Sequence, residues 1–273
     1  MSTGIGKVGI AERLKQARDE RGKKLLVAYL TAGFPDRARC VEALEGLAQA
    51  GVDAIELGVP FSDPLADGPV IAAASERAIA QGTTIEDALA IGAELARGRP
   101  DAPPLVLFTY LNPVASLGAE GMAGACAASG FAAVLIADLP FDEDPAIAAE
   151  LAARGLPLIR LAAPTTPPGR LAQLASGAEG FVYLIARTGI TGAGAGTDRR
   201  VAEQVAVIRA NTDLPVVVGF GIGDARAAQS AARLADGVVV GSAFVERLGR
   251  DDPSEAVAWM RTLRNALDDA DAV

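Results

Sequence analysis

The chain has 273 residues, with 25 Lys and Arg against 34 Asp and Glu for a formal net charge of −9, two Cys and no His. An acidic chain without a basic stretch repels a phosphate backbone, which excludes the nucleic-acid-binding classes. The absence of His removes the commonest acid–base side chain together with the commonest transition-metal ligand, and Cys40 and Cys126, lacking CxxC spacing, read as small buried hydrophobes, so no metal site is expected.

From the N-terminus, Met1 to Gly9 lacks the apolar core of a signal peptide, and no run in the chain reaches about 18 apolar residues. A cytoplasmic protein is expected. Ile10 to Arg21 then reads as an amphipathic helix ahead of the first strand. Short apolar β-prone runs follow at Leu25 to Leu30, Ala54 to Leu57, Leu105 to Thr109, Ala133 to Ile136, Leu158 to Leu161, Phe181 to Ile185, Val216 to Gly219 and Gly237 to Val240. Between them lie Ala-rich segments of helical period, such as Arg37 to Ala50, Ile85 to Arg97, Ala146 to Arg154 and Val201 to Ala210. Strands that are apolar nearly throughout are covered on both faces. Eight such βα units without a linker point to a single (β/α)8 TIM barrel with an extra N-terminal helix, one domain over residues 1–273. A doubly wound open sheet is the competing arrangement.

Barrel chemistry is placed at the C-terminal ends of the strands. The only lysines, Lys7, Lys15, Lys23 and Lys24, come before or at the start of the first strand. That is the wrong end for catalysis, so neither a Schiff-base lysine nor a covalently held pyridoxal phosphate is expected on this chain. Carboxylate and phenol chemistry remains. The segment ELGVPFSDPLADGP, Glu56 to Pro69, puts a carboxylate inside an apolar strand and more in the loop behind it. A buried carboxyl must be neutralised, hydrogen-bonded or functional, and desolvation raises its pKa toward the range of a working acid. Glu56 is therefore either a catalytic group or a Glu satisfied by polar neighbours. Asp67 stands in a Pro- and Gly-framed loop and reads equally as a helix cap or a catalyst. Asp63 reads as a cap or turn residue.

Glycine-bearing segments follow the late strands at Thr188 to Gly192, Gly219 to Gly223 and Gly241 to Ala243. The last two suit a phosphate held by backbone amides, a helix N-terminus and the Ser242 hydroxyl, without a cation. Thr188 to Thr197 is too rich in glycine to hold one conformation cheaply and reads as a closing lid, with a surface linker as the alternative. Tyr183 either directs its hydroxyl toward substrate or is a core tyrosine.

These segments, with TyrLeuAsnPro (Tyr110 to Pro113), IleAlaAspLeuPro (Ile136 to Pro140) and TyrLeuIleAlaArgThrGlyIleThrGly (Tyr183 to Gly192), stand in an order that resembles the tryptophan synthase α-chain family along essentially the whole length. The resemblance implies reversible retro-aldol cleavage of indole-3-glycerol phosphate to indole and glyceraldehyde 3-phosphate. It implies that Glu56 is the main acid–base, that Asp67 binds the indole N–H as a carboxylate, and that Tyr183 lies beside Glu56. By the same resemblance Thr191 is a lid residue that engages Asp67, and Gly192, Gly221, Gly241 and Ser242 are phosphate-site positions. Tyr110 and Phe220 match aromatic positions in or near the pocket. Tyr29 stands where some members of the family have phenylalanine, and the turn after it reads GlyPhePro, Gly33 to Pro35. The family pairs with a β chain that carries pyridoxal phosphate, in an α2β2 heterotetramer, sensed through the loops after strands two and six. A stand-alone indole-releasing lyase and a chiefly allosteric binding subunit are the alternative readings.

Overall fold

A computed structural model describes residues 9–21, 24–143, 145–186, 195–219 and 221–269, with no side-chain description for 20–21 and 195–197. Eight parallel strands close into a barrel in chain order. They are β1 (Leu25–Thr31), β2 (Ala54–Gly58), β3 (Leu105–Thr109), β4 (Ala133–Ile136), β5 (Leu158–Ala162), β6 (Val182–Ile185), β7 (Val216–Gly219) and β8 (Gly237–Val240). The seam between β1 and β8 pairs Leu25 with Gly237. A Cβ at 237 would fall 2.8 Å from the Leu25 Cα, so glycine is what lets the ring shut. The open-sheet alternative is excluded by this closure.

Around the strands lie α1 (Ile10–Arg21), α2 (Arg37–Gln49), α3 (Pro69–Ala80), α4 (Ile85–Gly98), α5 (Leu111–Leu117), α6 (Ala119–Ala128), α7 (Pro145–Ala152), α8 (Pro168–Ser176), α9 (Ala195–Arg209), α10 (Ala225–Ala232), α11 (Ser242–Arg250) and α12 (Pro253–Asp269). Local chemistry fixes several of their starts. Asp36 accepts from the Arg39 amide at the head of α2, and Thr84 and Asp87 form a reciprocal capping box at α4. Pro69 and Pro168 sit in the first turns of α3 and α8, where a missing N–H costs nothing. Helix α9 begins at Ala195, inside the segment read from sequence as a lid, and carries Asp198 in its first turn, a favourable place for an acid. The lid reading therefore ends before Ala195, and its remainder, 188–194, lies outside the described residues.

Alternation along the strands sends one set of side chains inward. Leu25, Val27, Ala54, Val106, Ala133, Leu135, Ile159, Phe181, Val217 and Val239 form one interior cluster. Ile10 and Leu14 of α1 belong to the same cluster, so the extra helix plugs the N-terminal end of the barrel. Outside, the helices bury a large cluster against β1–β4 and β8 and a smaller one against β5–β7. Cys40 and Cys126 are buried free thiols in the larger cluster, both pushed up to about 12 by burial. Among the described residues no helix is long and apolar enough to cross a membrane.

Candidate active site

With the N-terminal end of the barrel plugged, the interior stays polar only toward the C-terminal ends of the strands. Ala54, Glu56 and Gly58 share a face of β2, and Ala54 is an interior residue, so Glu56 points into the barrel. It is 1% exposed, and its Oε1 has no hydrogen-bond partner. Burial alone pushes its carboxyl up to about 8. A Glu satisfied by polar neighbours is thereby set aside, because one of its oxygens has none. The mechanism is that of a carboxylic acid held in a largely apolar setting, where the charged form is disfavoured.

Tyr183 projects from β6, across the ring from β2. Burial, and then the charge of Glu56, raise its phenol well above the ordinary range, which places the two side chains within electrostatic reach across the interior. Tyr29 on β1 is in register with Glu56 and is 4% exposed. Its ring meets Phe108 of β3 edge-on at 5.3 Å, and its hydroxyl lies 3.4 Å from Thr31 Oγ1.

Asp67 arrives from the loop behind β2. That loop turns through Asp67 N to Pro64 O at 3.0 Å, and its Ala66 amide donates to the Tyr110 hydroxyl at 3.3 Å. The Tyr110 hydroxyl in turn donates to the Asp67 carboxylate, while the Tyr110 ring stacks on Phe61 with centroids 5.0 Å apart. Burial raises Asp67 to about 6, against the lowering effect of the Tyr110 hydrogen bond. Helix α3 starts instead with Gly68 at its N-cap and no side-chain cap, so Asp67 is not a capping residue. Asp63 is exposed and bonded to Ser62, outside this group.

After β8, beside β1, the N-cap of α11 is Gly241, without a side-chain cap, so its first amides keep their hydrogen-bonding capacity. A Cβ at 241 would lie 3.5 Å from that of Tyr29, which ties this helix end to the wall of the carboxylate pocket. Ser242 is half-buried at the first turn, and Gly221 adopts φ of 58°, a region that favours glycine. The neighbouring helix α10 is already capped by the Asp224 side chain, which accepts from the Ala227 amide at 2.8 Å. An anion is therefore better served by α11 than by α10.

The structure thus brings Glu56, Asp67, Tyr29, Tyr110, Tyr183, Gly241 and Ser242 to one end of the barrel. Thr191, Gly192 and Phe220 lie outside the described residues. Sequence reasoning missed Thr31, Phe108 and Gly58, although all three share the inward-facing parity of residues it did select. Lys15, paired with Asp213 at 2.6 Å, and Lys24, bonded to Ala235 O, sit at the opposite end. A cavity of about 380 Å³ at that opposite end, lined by Arg13, Gln16, Asp53 and Asp101 among others, contains none of the site residues.

Comparison with known proteins gives a consistent picture. The profile of the family described as "Tryptophan synthase alpha chain" matches residues 14–271. The chain is 43% identical over 262 residues to the tryptophan synthase alpha chain of Chloroflexus aurantiacus, covering 94% of this chain and 98% of that one. It is 44% identical over 254 residues to that of Dechloromonas aromatica, covering 92% and 94%. Among solved structures, tryptophan synthase from M. tuberculosis in its aminoacrylate-bound form superposes with a TM-score of 0.85 at 32% identity, covering 95% of this chain and 100% of that one. The alpha subunit from Legionella pneumophila gives a TM-score of 0.85 at 30% identity, covering 96% and 99%.

Proposed function

Because the chain belongs to the tryptophan synthase alpha chain family, we propose that it is a carbon–carbon lyase that cleaves indole-3-glycerol phosphate to indole and glyceraldehyde 3-phosphate, with residues 1–273 acting as one catalytic domain. The observation that carries this reading is the division of labour between two acids. At neutral pH Glu56, raised to about 8, holds its proton, while Asp67, raised only to about 6, is ionised.

Retro-aldol cleavage needs an electron sink. A protonated Glu56 can deliver its proton to indole C3, which turns the substrate's own ring into that sink. The ionised Asp67 then accepts the indole N–H and offsets the positive charge that develops on the ring. Glu56, now a carboxylate, can take the proton of the glycerol hydroxyl as the carbon–carbon bond breaks, and so returns to its starting form. By the family resemblance Tyr183 lies beside Glu56, and the Glu56 charge bears on its phenol. Tyr29, Phe108 and Tyr110 form aromatic walls that suit an indole, and Tyr110 also fixes Asp67.

The phosphate is assigned to the open N-terminus of α11, with Gly241, Ser242 and Gly221, where amides and the helix dipole substitute for a cation. By the family resemblance, Thr191 is a lid residue that engages Asp67, Gly192 is a further phosphate-site position and Phe220 lies in or near the pocket. The reading extends to a β-chain partner in an α2β2 complex. Pyridoxal phosphate belongs to that partner, and this chain needs no cofactor of its own. A cytoplasmic location fits a member of this biosynthetic pair.

The test is indole release from indole-3-glycerol phosphate by the purified chain, alone and with a β chain. Turnover that rises when the β chain is added is expected. Zero turnover in both conditions contradicts the lyase reading.

A further inference from the structure

Glu56 poses a problem that its partners described so far only half solve. Once it has given up its proton it is a carboxylate at 1% exposure with an oxygen that no group meets. A buried unpaired charge costs several kcal/mol, so a donor has to be at hand during turnover.

The barrel wall offers two phenols, built by the same device. Tyr183 leans from β6 over Gly219 of β7, where a Cβ would fall 2.6 Å from the phenol oxygen. Tyr29 leans from β1 over Gly58 of β2, where a Cβ would likewise fall inside contact distance of the hydroxyl. In both pairs the glycine stands opposite the residue two places beyond the tyrosine, Ile185 with Gly219 and Thr31 with Gly58. The glycines make room for the phenols, and the phenols approach Glu56 from the adjacent strand and from across the ring.

Of the two, Tyr29 stands on the strand next to Glu56 and in register with it. Its present bond to Thr31 Oγ1, at 3.4 Å, is well beyond the usual hydroxyl distance of about 2.7 to 2.8 Å and is easily exchanged. Its ring is held against Phe108, and the Glu56 carboxyl, whose Oε1 no group holds, is the side chain that swings to meet its hydroxyl. We infer that Tyr29 is a positioning residue for Glu56, its hydroxyl leaving Thr31 to donate a hydrogen bond to the Glu56 carboxylate once that group has transferred its proton. The inference rests on the proton-transfer role proposed for Glu56. The groups that bear on the Tyr29 phenol are Asp67 from the β2–α3 loop, Thr31 on its own strand, Tyr110 after β3 and Glu56 on β2, none of them a cation. Those that bear on the Tyr183 phenol of β6 are Glu56, Tyr29 and Asp67.

The experiment compares wild type, Tyr29→Phe, Tyr183→Phe and the double variant, each in complex with a β chain, by kcat, KM for indole-3-glycerol phosphate and the pH profile of kcat. Tyr29→Phe keeps the ring and its packing, and thermal melting of each variant checks the fold. The expected result is a fall in kcat of about tenfold with KM within about twofold, since the lost bond is to a charge formed only during turnover. The alkaline limb is expected to move upward, because removing a donor to the ionised form raises the Glu56 pKa. In the double variant the loss should differ from the product of the single losses, as for two donors to one carboxylate. An unchanged kcat and alkaline limb, or a change confined to KM, overturns the inference. A wild-type complex without turnover would instead overturn the lyase reading itself, so the two failures are distinguishable.

Discussion

Two carboxyl groups with different surroundings predict a pH dependence whose sign follows from their placement. In the mechanism proposed above, cleavage needs Asp67 ionised and Glu56 protonated. As pH rises through about 6 Asp67 loses its proton and activity should grow, and as pH passes about 8 Glu56 loses its proton and activity should fall. A bell-shaped kcat/KM profile is therefore expected, and a rate that rises without a fall through alkaline pH would contradict the assignment of Glu56 as the acid. The same burial affects stability. The Glu56 carboxyl starts near 4.5 and is held at about 8 in the fold, so between those values the folded chain keeps a proton that the unfolded chain has lost. Stability contributed by this group consequently declines as pH rises from about 4.5 to 8. Glu56→Gln removes that cost, and its melting temperature should exceed wild type by about 5 °C at pH 8 and by less at pH 5. Equal melting temperatures at both pH values would contradict the burial argument. At this scale Glu56 was legible in the sequence because a lone acid in an apolar strand is conspicuous. Its environment was not, since the placing of Tyr183 on β6 opposite β2 and of Phe108 against Tyr29 depends on which strands close the ring.

Elements were legible where local pattern and tertiary burial agree. The strand Leu105 to Thr109 was read at its observed bounds, and Arg37 to Ala50 differs from α2 by a single residue, because Asp36 marks the start with its own side chain. Helix α9 was placed too late, since its first turn falls in glycine-rich sequence that carries no apolar period. The paired helices α3 and α4, α5 and α6, and α11 and α12 go beyond the one-helix-per-strand pattern. One of the extras fastens the molecule. Arg264 of α12 is 8% exposed, and its Nη1 contacts Asp53 at 3.1 Å while its Nη2 reaches the Lys24 carbonyl at 2.8 Å and Asp268 at 2.7 Å. Asp53 also accepts from the Leu26 amide at 2.8 Å, so one guanidinium joins the C-terminal helix to the beginnings of β1 and β2. Removing one partner of a buried pair leaves its counter-charge desolvated, and Arg264→Ala should lower unfolding free energy by about 3 to 5 kcal/mol. Denaturant unfolding checks this, and a loss below about 1 kcal/mol would show that the pair is solvated and weak.

The molecule as a whole separates stability from chemistry along the barrel axis. The N-terminal end is stoppered by Ile10 and Leu14 and fastened by Arg264, while the C-terminal end gathers the two acids, the three tyrosines and the uncapped start of α11. Closure of the ring is what turns residues distant in sequence into one site, and it explains why the site's chemistry could be read as a set of candidates but its geometry could not. Family membership adds the reaction and the partner to this frame, and the mechanism proposed above runs on side chains that include no histidine and, among the described residues, no lysine at the active end. The most direct test of that account is the turnover of Glu56→Gln at saturating indole-3-glycerol phosphate in complex with a β chain. The account predicts a fall in kcat of about 10² to 10⁴-fold, with KM close to that of wild type, because the amide keeps the size of the side chain and loses its proton. A variant that keeps more than about a tenth of wild-type kcat would contradict it.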